Sequence, residues 1–339
     1  MMTSRERVQR TLCFQTPDRI PRDFWALPWF WKRYPAFCQH MAERFPSDFG
    51  GVPNVYRDSP RRKGDQHGIG TYVDEWGCSF IGAQDGVIGE VKHPMLTDLE
   101  DWRSVVKPPY ETLPEDFSAA RDTVNRACAA TDLFVKAGCN PRPWERYQFL
   151  RGSYDALCDM ADPPPEALLV LQRIHEFHLR EVEFWATTDV DAISFMDDWG
   201  AQRQLLIRPD VWRAVFKPLY KEYADIAHAA GKTIFMHSDG HTEAIYPDLV
   251  EIGIDAFNSQ LFCMDIESLS AYRGKITFWG EIDRQHILPS KDPEDGRHAV
   301  RRVRDALWLP EGGIIAELEA GLLTNPEVVE AVYEEWDRS

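Results

Sequence analysis

The chain has 339 residues, 44% of them hydrophobic and 27% charged, and its 38 basic and 55 acidic side chains give a net charge of −17. This composition is too apolar for a disordered chain. The acidic excess argues against nucleic-acid binding, which needs concentrated Lys and Arg. No apolar run approaches the roughly 20 residues that span a bilayer, and the polar segment 1–10 does not have the pattern of a signal peptide.

The seven cysteines are scattered along the chain and show no C-x-x-C spacing. This pattern is not typical of a disulfide framework or a zinc ribbon, so we expect free thiols and a cytoplasmic location. No internal repeat or low-complexity tract divides the sequence. We therefore expect residues 1–339 to form a single domain.

The first half of the chain contains three candidate strands, at residues 19–24, 72–81 and 133–137. The second is the weakest, because the four glycines of segment 74–91 are more typical of a hairpin. Segment 45–70 is rich in Pro, Gly and charge and predicts a long loop. An amphipathic helix is predicted at Pro165–Ala186, after the third candidate strand.

Strands and helices alternate regularly in the second half. The predicted strands are residues 190–196, 232–236, 254–257, 275–279 and 313–318, and the predicted helices are 209–230, 242–252, 265–272, Pro293–Leu307 and Pro326–Trp336. This alternation indicates βα units and a parallel sheet. Eight strands favour a single (β/α)8 TIM barrel of the α/β class, with an N-terminal extension and the 45–70 loop at the barrel mouth. A doubly wound open sheet is the competing architecture, but no G-x-G-x-x-G follows a strand.

Polar and mostly acidic side chains follow nearly every predicted strand. Those of interest are Asp23, Trp25, Asp197, Asp198, Trp199, His237, Asp239, Asn258, Gln260, Glu281, Asp283, Glu317 and Glu319. In a TIM barrel the active site lies at these strand ends. An inward-facing histidine with carboxylates on neighbouring strands favours a divalent metal site, and oxygen-rich ligation suits zinc, manganese, iron or magnesium. The candidate ligands are His237, Asp239, Glu281, Glu317 and Glu319.

Structural interpretations of the same residues remain open. His237 lies in a turn rich in Ser, Asp and Gly and could serve only as a hydrogen-bonding residue. The pair Asp197 and Asp198 could cap the helix that follows, since Asp is a favoured N-cap residue. Glu317 and Glu319 are more indicative of function, because two Glu in an apolar strand are costly to bury unless paired or metal-bound.

Three segments resemble the uroporphyrinogen decarboxylase superfamily: TSRERVQRTLCFQTPDRIPRDFW, FMDDWGAQRQLLIRPDVWRAVFKPLYKEY, and FMHSDG…IYPDLVEIGIDAFNSQ…FWGEIDRQHILP. Together the match covers nearly the whole chain. The resemblance implies a single (β/α)8 barrel and one of two activities. One branch decarboxylates the acetate arms of uroporphyrinogen without a metal or cofactor. The other transfers methyl groups between corrinoid proteins and a thiol, using zinc held by an H-x-C motif and a later Cys.

The sequence departs from both branches. The Arg-rich segment that grips porphyrinogen carboxylates is absent, the catalytic Asp of an F-S-D segment has no obvious match, Gln148 stands where a substrate-contacting Tyr is expected, and the C-terminal His is missing. The H-x-C motif reads H-S-D, so Asp239 stands where the thiolate would be. The later Cys position falls in Glu317–Glu319, and no Cys follows Cys263. Harder ligands thus occupy the positions of the family's zinc site.

These observations favour a metal-assisted methyltransferase or demethylase that acts on a small methylated compound with a corrinoid protein. The alternative is a cofactor-independent decarboxylase in which Asp23 or Asp197 stabilises a developing cation. A ligand-binding or corrinoid-binding barrel without catalysis is a third possibility, and a homodimer is possible because family members often dimerise. We expect catalytic roles for Asp23, Asp197 and Asp198, and a substrate pocket lined by Trp25, Gln148, Trp199, Asn258 and Gln260.

Overall fold

A computed structural model describes residues 2–338 of the chain. Its strands are β1 (Arg22–Ala26), β2 (Phe49–Gly50), β3 (Gly70–Val73), β4 (Ser79–Gly82), β5 (Glu90–Val91), β6 (Phe134–Val135), β7 (Ala192–Met196), β8 (Thr233–Ser238), β9 (Ala256–Ser259), β10 (Thr277–Gly280) and β11 (Ile314–Ala320). Its helices are α1 (Ser4–Leu12), α2 (Pro28–Arg33), α3 (Pro35–Arg44), α4 (Trp102–Val105), α5 (Phe117–Ala129), α6 (Pro143–Arg151), α7 (Ser153–Asp159), α8 (Pro165–Ala186), α9 (Pro209–Val215), α10 (Lys217–Ala229), α11 (Tyr246–Glu251), α12 (Pro293–Leu307) and α13 (Pro326–Trp336).

Six parallel strands form the main sheet, in the order β1–β11–β10–β9–β8–β7. Strands β2 and β6 form a second, two-stranded parallel sheet. Its two sides contact the two edges of the main sheet: Asp48 N–H donates to Arg22 O at 2.9 Å beside β1, and Ala137 N–H donates to Ala192 O at 2.9 Å on β7. The parallel α/β class that the sequence predicts is confirmed.

A buried cluster of apolar side chains lies between these strands, separate from the larger core beneath the helices. Its members are Val8, Leu12, Phe49, Phe134, Ala192, Phe235, Ala256, Trp279 and Ile315, with Trp25 packed against it. They come from β1, β2, β6 to β11 and α1. Helix α1 covers the N-terminal ends of the strands, where Thr11 O accepts from Gly313 N–H just before β11.

Two expectations for the first half of the chain are wrong. Residues 72–81 do not join the main sheet as a barrel strand; β3, β4 and β5 form an antiparallel sheet of their own, which confirms the hairpin that the glycines of segment 74–91 favour. Asp74 reverses the chain there by accepting the N–H groups of Trp76 and Cys78, and Gly77 adopts a φ of +92°. The strand that takes its place is β2, inside the segment 45–70 that was expected to be loop throughout.

Three predicted helices are interrupted. Segment 209–230 divides into α9 and α10 at Phe216, because Pro218 lacks the N–H that a continuous helix needs and its ring would meet the preceding turn. Segment 242–252 begins as a 3₁₀ turn before α11, and 265–272 forms only the 3₁₀ helix Ser268–Tyr272. Within residues 2–338 no helix has both the length and the apolar character needed to cross a membrane.

Candidate active site and metal centre

Three ligand-type side chains converge at the C-terminal ends of β7 and β8. His237 is in β8, Asp239 directly follows it, and Asp198 is the second residue after β7. His237 Nε2 lies 3.6 Å from Asp198 Oδ1 and 3.6 Å from Asp239 Oδ1. One ligand atom from each residue lies within 4.8 Å of the others. The Asp198–His237–Asp239 triad therefore offers two carboxylates and one imidazole around a common point.

Asn258 on β9 fixes the orientation of the histidine. Its Nδ2 donates to Trp279 O at 2.6 Å and to Glu317 Oε2 at 3.0 Å, which leaves its Oδ1 as an acceptor for His237 Nδ1–H. In the neutral imidazole the Nε2 lone pair then faces the two aspartates. Such an outer partner sets the tautomer of a metal-binding histidine.

A close backbone approach holds the two loops of the triad together. Gly200 follows Asp198 by two residues, and its N–H donates to Asp239 O at 2.9 Å. A Cβ built on Gly200 would lie 2.2 Å from the carbonyl carbon of Gly240, and Gly240 itself has a φ of +77°. Asp198 Oδ1 also accepts Asp239 N–H at 2.9 Å. Glycine at both positions therefore lets the carboxylates approach each other.

Arg284 is part of this site, although the sequence did not single it out. Its guanidinium hydrogen-bonds to Asp239 and Glu319, and its Nε lies 3.6 Å from Glu281 Oε2. The signal was present in the segment GEIDR, where an arginine follows a strand-end glutamate by three residues. Arg284 supplies a positive charge to the acidic strand ends and occupies one oxygen of Asp239.

Glu281 and Glu317 are each 1% exposed. Burial raises the pKa of Glu281 to about 8, although Arg284 opposes the shift. Burial, followed by the negative charges of Glu281 and Asp23, raises the pKa of Glu317 well above its usual range. Both oxygens of Glu281 and Oε1 of Glu317 make no hydrogen bond in the described part of the chain. Buried carboxyls of this kind hold protons near neutral pH unless a cation is bound beside them.

The triad residues fit a divalent cation. Burial lowers the pKa of His237, but the charges of Asp198 and Asp239 outweigh it and raise that pKa above its ordinary value. Burial and the charge of Asp239 raise the pKa of Asp198. A divalent ion would offset this mutual repulsion. The donor set of one imidazole and hard oxygens, without thiolate, suits zinc, manganese or iron.

Asp197 is directed away from the triad and is fully buried. It accepts Trp144 N–H at 2.8 Å, Glu145 N–H at 2.7 Å and the Tyr220 hydroxyl at 2.7 Å. Asp197, which directly follows β7, therefore caps the first turn of α6, a helix that lies about 50 residues earlier in the sequence. Trp199 is also fully buried, and its Nε1 donates to the Tyr220 hydroxyl at 2.9 Å. The two residues form one network that packs α6 and α10 against the end of β7.

Asp23 belongs to a second polar group on the inner side of the sheet. Its Oδ2 accepts Lys136 Nζ at 3.1 Å and Trp25 Nε1 at 3.0 Å. Lys136 lies over the Trp279 ring, 4.3 Å from its centroid. The Trp25 ring is 5.7 Å from that of His237, so this group adjoins the triad. No pattern in the sequence around Lys136 indicates that it is a site residue.

The remaining candidates differ in their relation to the triad. Gln260 donates to Asp239 Oδ1 at 3.0 Å and accepts from Gly240 N–H, so it joins the site. Gln148 lies within α6, and none of the side-chain contacts described above involves it. Arg284 contacts both Glu319 and Glu281, and Asn258 donates to Glu317. These three glutamates therefore surround the triad and are not part of it.

A side cavity of about 420 Å³ lies next to the triad. Its walls come from the β2 and β6 loops, the β3–β5 sheet, α6 and α8. Sequence reasoning could not find it, because the lining residues come from segments far apart in the chain. Glu145, one of its lining residues, donates its backbone N–H to Asp197 beside Asp198, which places the cavity next to the strand ends.

The fold and the site define a parallel α/β protein whose polar residues gather at the C-terminal ends of its strands. A comparison with family models then identifies the family. The uroporphyrinogen decarboxylase model matches residues 68–338, and the chain belongs to that family. No curated protein sequence matches the chain.

The solved structures that match the chain include the following two. A methyltransferase from Methanosarcina mazei aligns over 100% of this chain and 99% of its own, with a TM-score of 0.66 and 13% identity. A B12-independent methionine synthase from Shewanella sp. W3-18-1, in complex with selenomethionine, aligns over 69% of each chain, with a TM-score of 0.48 and 12% identity. The first similarity supports the family fold across the whole chain.

Proposed function

We propose that this family member is a metal-assisted methyltransferase or demethylase that exchanges a methyl group between a small methylated compound and a corrinoid protein. The observation that carries the proposal is the convergence of His237 Nε2 with one oxygen each of Asp198 and Asp239. The family membership and the methyltransferase-like fold support the choice of reaction.

Asp198, His237 and Asp239 would hold the divalent ion. When bound, such an ion acts as a Lewis acid toward an oxygen, nitrogen or sulfur of the substrate. Asn258 keeps the His237 Nε2 lone pair directed at the site. Arg284 holds Asp239 and Glu319 in place and limits the negative charge of the strand ends.

Glu281 is the residue best placed to carry a proton. It is buried beside Arg284, and in the metal-free protein its pKa of about 8 keeps it protonated at neutral pH. A carboxylic acid near the reacting atoms can donate its proton to a leaving alkoxide or amine. The residues of this chain therefore supply both the ligands and a proton donor for demethylation.

Metal binding is the direct test. Protein purified without chelator should contain close to one divalent ion per chain, measured by plasma mass spectrometry. His237→Ala should lose the ion, and Asn258→Leu should lower the affinity for Zn²⁺ or Mn²⁺ by about 10- to 100-fold, because the histidine loses its orienting partner. His228→Ala is the matched control, since His228 pairs with Asp255 away from the site. Unchanged metal content in His237→Ala would refute the proposal.

Methyl transfer can be followed with free methylcobalamin in place of a corrinoid protein, by the loss of its visible absorbance in the presence of a thiol. We expect activity that falls in chelator and returns with added metal. The same activity in the presence of chelator, or in Asp239→Ala, would contradict the metal-assisted mechanism.

The proposal includes four finer points. The eight strands β1, β2 and β6 to β11 would close into a single (β/α)8 barrel, supported by the interior cluster to which all eight contribute. The corrinoid protein would dock at the C-terminal ends of these strands. A cytoplasmic location and a homodimer remain part of the proposal, the latter testable by light scattering.

A cofactor-independent decarboxylase is the second candidate, favoured by the Asp23–Lys136 pair. This pair is held among Trp25, Phe49 and Trp279, independently of the triad. A buried carboxylate beside a cation could stabilise a developing positive charge on a substrate and guide its protonation. CO₂ release that persists in EDTA and disappears in Asp23→Asn would favour this candidate over methyl transfer.

A further inference from the structure

The side cavity differs from the strand-end cluster in character, because six aromatic side chains line it beside its charged residues. Trp76 and Phe177 meet edge to face at 5.4 Å, and Phe80 and Phe149 do so at 5.1 Å. A volume of about 420 Å³ is within the range of small-molecule sites. Flat apolar walls of this kind suit a planar or aromatic body.

Its inner wall adjoins the triad. Asn140 donates to Met196 Sδ at the end of β7, and Arg142 and Glu145 flank the start of α6. Glu145 N–H donates to Asp197 Oδ1 at 2.7 Å, so the start of α6 lies against the residue that precedes Asp198. A ligand that extends along this wall would bring its far end toward Asp198.

Most charges in the cavity are paired. Arg146 hydrogen-bonds to Asp74 and Glu75, and Arg62 hydrogen-bonds to Glu75 at 3.2 Å. In the same cavity His178 Nδ1 bonds to a glutamate of its own helix at 2.8 Å. These groups have their partners already and give the cavity its shape.

Arg142 is the exception. Among the described residues its guanidinium has one ion pair, with Glu145 Oε2 at 3.7 Å, and makes no hydrogen bond. Five N–H donors are therefore available on a side chain only 27% exposed. Glu145 is a weak counter-charge, because burial raises its pKa to about 7.

We infer that the side cavity binds a small organic carboxylate with a planar apolar body, and that Arg142 receives its carboxylate. A bidentate guanidinium–carboxylate pair would fill the unused donors, and the aromatic walls would contact the rest of the molecule. This inference names the substrate class for the proposed function. It rests on that function only for the claim that the bound acid is the methylated compound.

The test is equilibrium binding, measured by isothermal titration with 4-methoxybenzoate as the probe. Two probes of the same shape separate the charges: 4-methoxybenzamide is neutral and 4-methoxybenzylamine is cationic. We expect the carboxylate to bind at least about 30-fold more tightly than the amide, and Arg142→Gln to remove that preference. Arg302→Gln is the matched control, since that arginine pairs with Glu267 and does not line the cavity.

Three outcomes would overturn the inference: no measurable binding of the carboxylate, tighter binding of the benzylamine, or an unchanged preference in Arg142→Gln. Circular dichroism of the variant excludes misfolding as the cause of a loss. His237→Ala should still bind the carboxylate within about twofold, because the metal ligands are not the anion site. Binding in that variant without methyl transfer in the wild-type protein would refute the proposed function and leave this inference standing.

Discussion

Replacing Asp197 tests whether this aspartate acts in chemistry or in holding the site together. Its carboxylate accepts two backbone N–H groups of α6 and the hydroxyl of Tyr220, and Trp199 donates to that hydroxyl in turn. Each hydrogen bond in this network therefore runs toward Asp197, which is its final acceptor. Asp197→Ala would leave three buried donors without an acceptor.

The expected cost follows from that count. Each buried donor left unsatisfied costs about 1–3 kcal/mol, so Asp197→Ala should lower the free energy of unfolding by at least about 3 kcal/mol. Asp197→Asn should cost nearly as much, because both carboxylate oxygens accept a backbone N–H and one of them would become an NH₂ group. Urea unfolding should show a lower midpoint with an unchanged slope.

The adjacent aspartate provides the control. Among the described residues Asp198, whose side chain is 33% exposed, accepts only Asp239 N–H, so Asp198→Ala should cost less than about 1 kcal/mol in metal-free protein while abolishing metal binding. If Asp197→Ala were as stable as Asp198→Ala, the capping role would be refuted. A stable Asp197→Asn that had lost activity would instead restore the catalytic role expected from the sequence.

Three further predictions concern the same region. Gly200→Ala should separate the triad loops and weaken Zn²⁺ binding more than tenfold by titration, whereas Gly51→Ala, with open space at its Cβ, should not. Arg284→Gln should destabilise metal-free protein by about 2–3 kcal/mol, and Zn²⁺ should restore part of the loss in urea unfolding; an equal loss with and without the ion would contradict this. The folded-state pKa of Glu145, about 7, lies above its ordinary value, so its contribution to stability is present at low pH and is lost as pH rises through 7. Unfolding of the metal-free protein in EDTA should therefore show up to about 3 kcal/mol of loss between about pH 5 and about pH 9 that Glu145→Gln lacks, and parallel pH profiles would refute the assignment.

The strands of the second half could be predicted from the sequence because each is a short apolar run, whereas three of the five helices predicted there are interrupted. The first half was harder. Strand β2 is only two residues long and lies among prolines and glycines, so no periodicity marks it. The segment after Tyr72 was a weak candidate for a barrel strand because its glycines favour a hairpin, and Asp74 does turn the chain back before it can pair with the main sheet.

The sequence predicts which residues lie at the strand ends, but it does not predict which of their side chains contact each other. The residues around His237 were found because strand-end positions follow from the βα rhythm. The direction of the Asp197 side chain, away from its neighbour Asp198, depends on where α6 packs, which the sequence near β7 does not encode. The same applies to Arg142, whose importance comes from the partners it lacks.

Helix α1 and strands β1 and β2 all precede residue 68, where the match to the family model begins. Val8, Leu12 and Phe49 from this region pack inside the sheet, and β1 pairs with β11 along five residues. A fragment of residues 68–338 would expose the edge of β11 that pairs with β1. It would also lack the side chains that α1 and β2 contribute to the interior cluster. The boundary of sequence similarity is thus not a boundary of cooperative folding, and the shorter fragment should aggregate on expression while residues 1–339 remain folded.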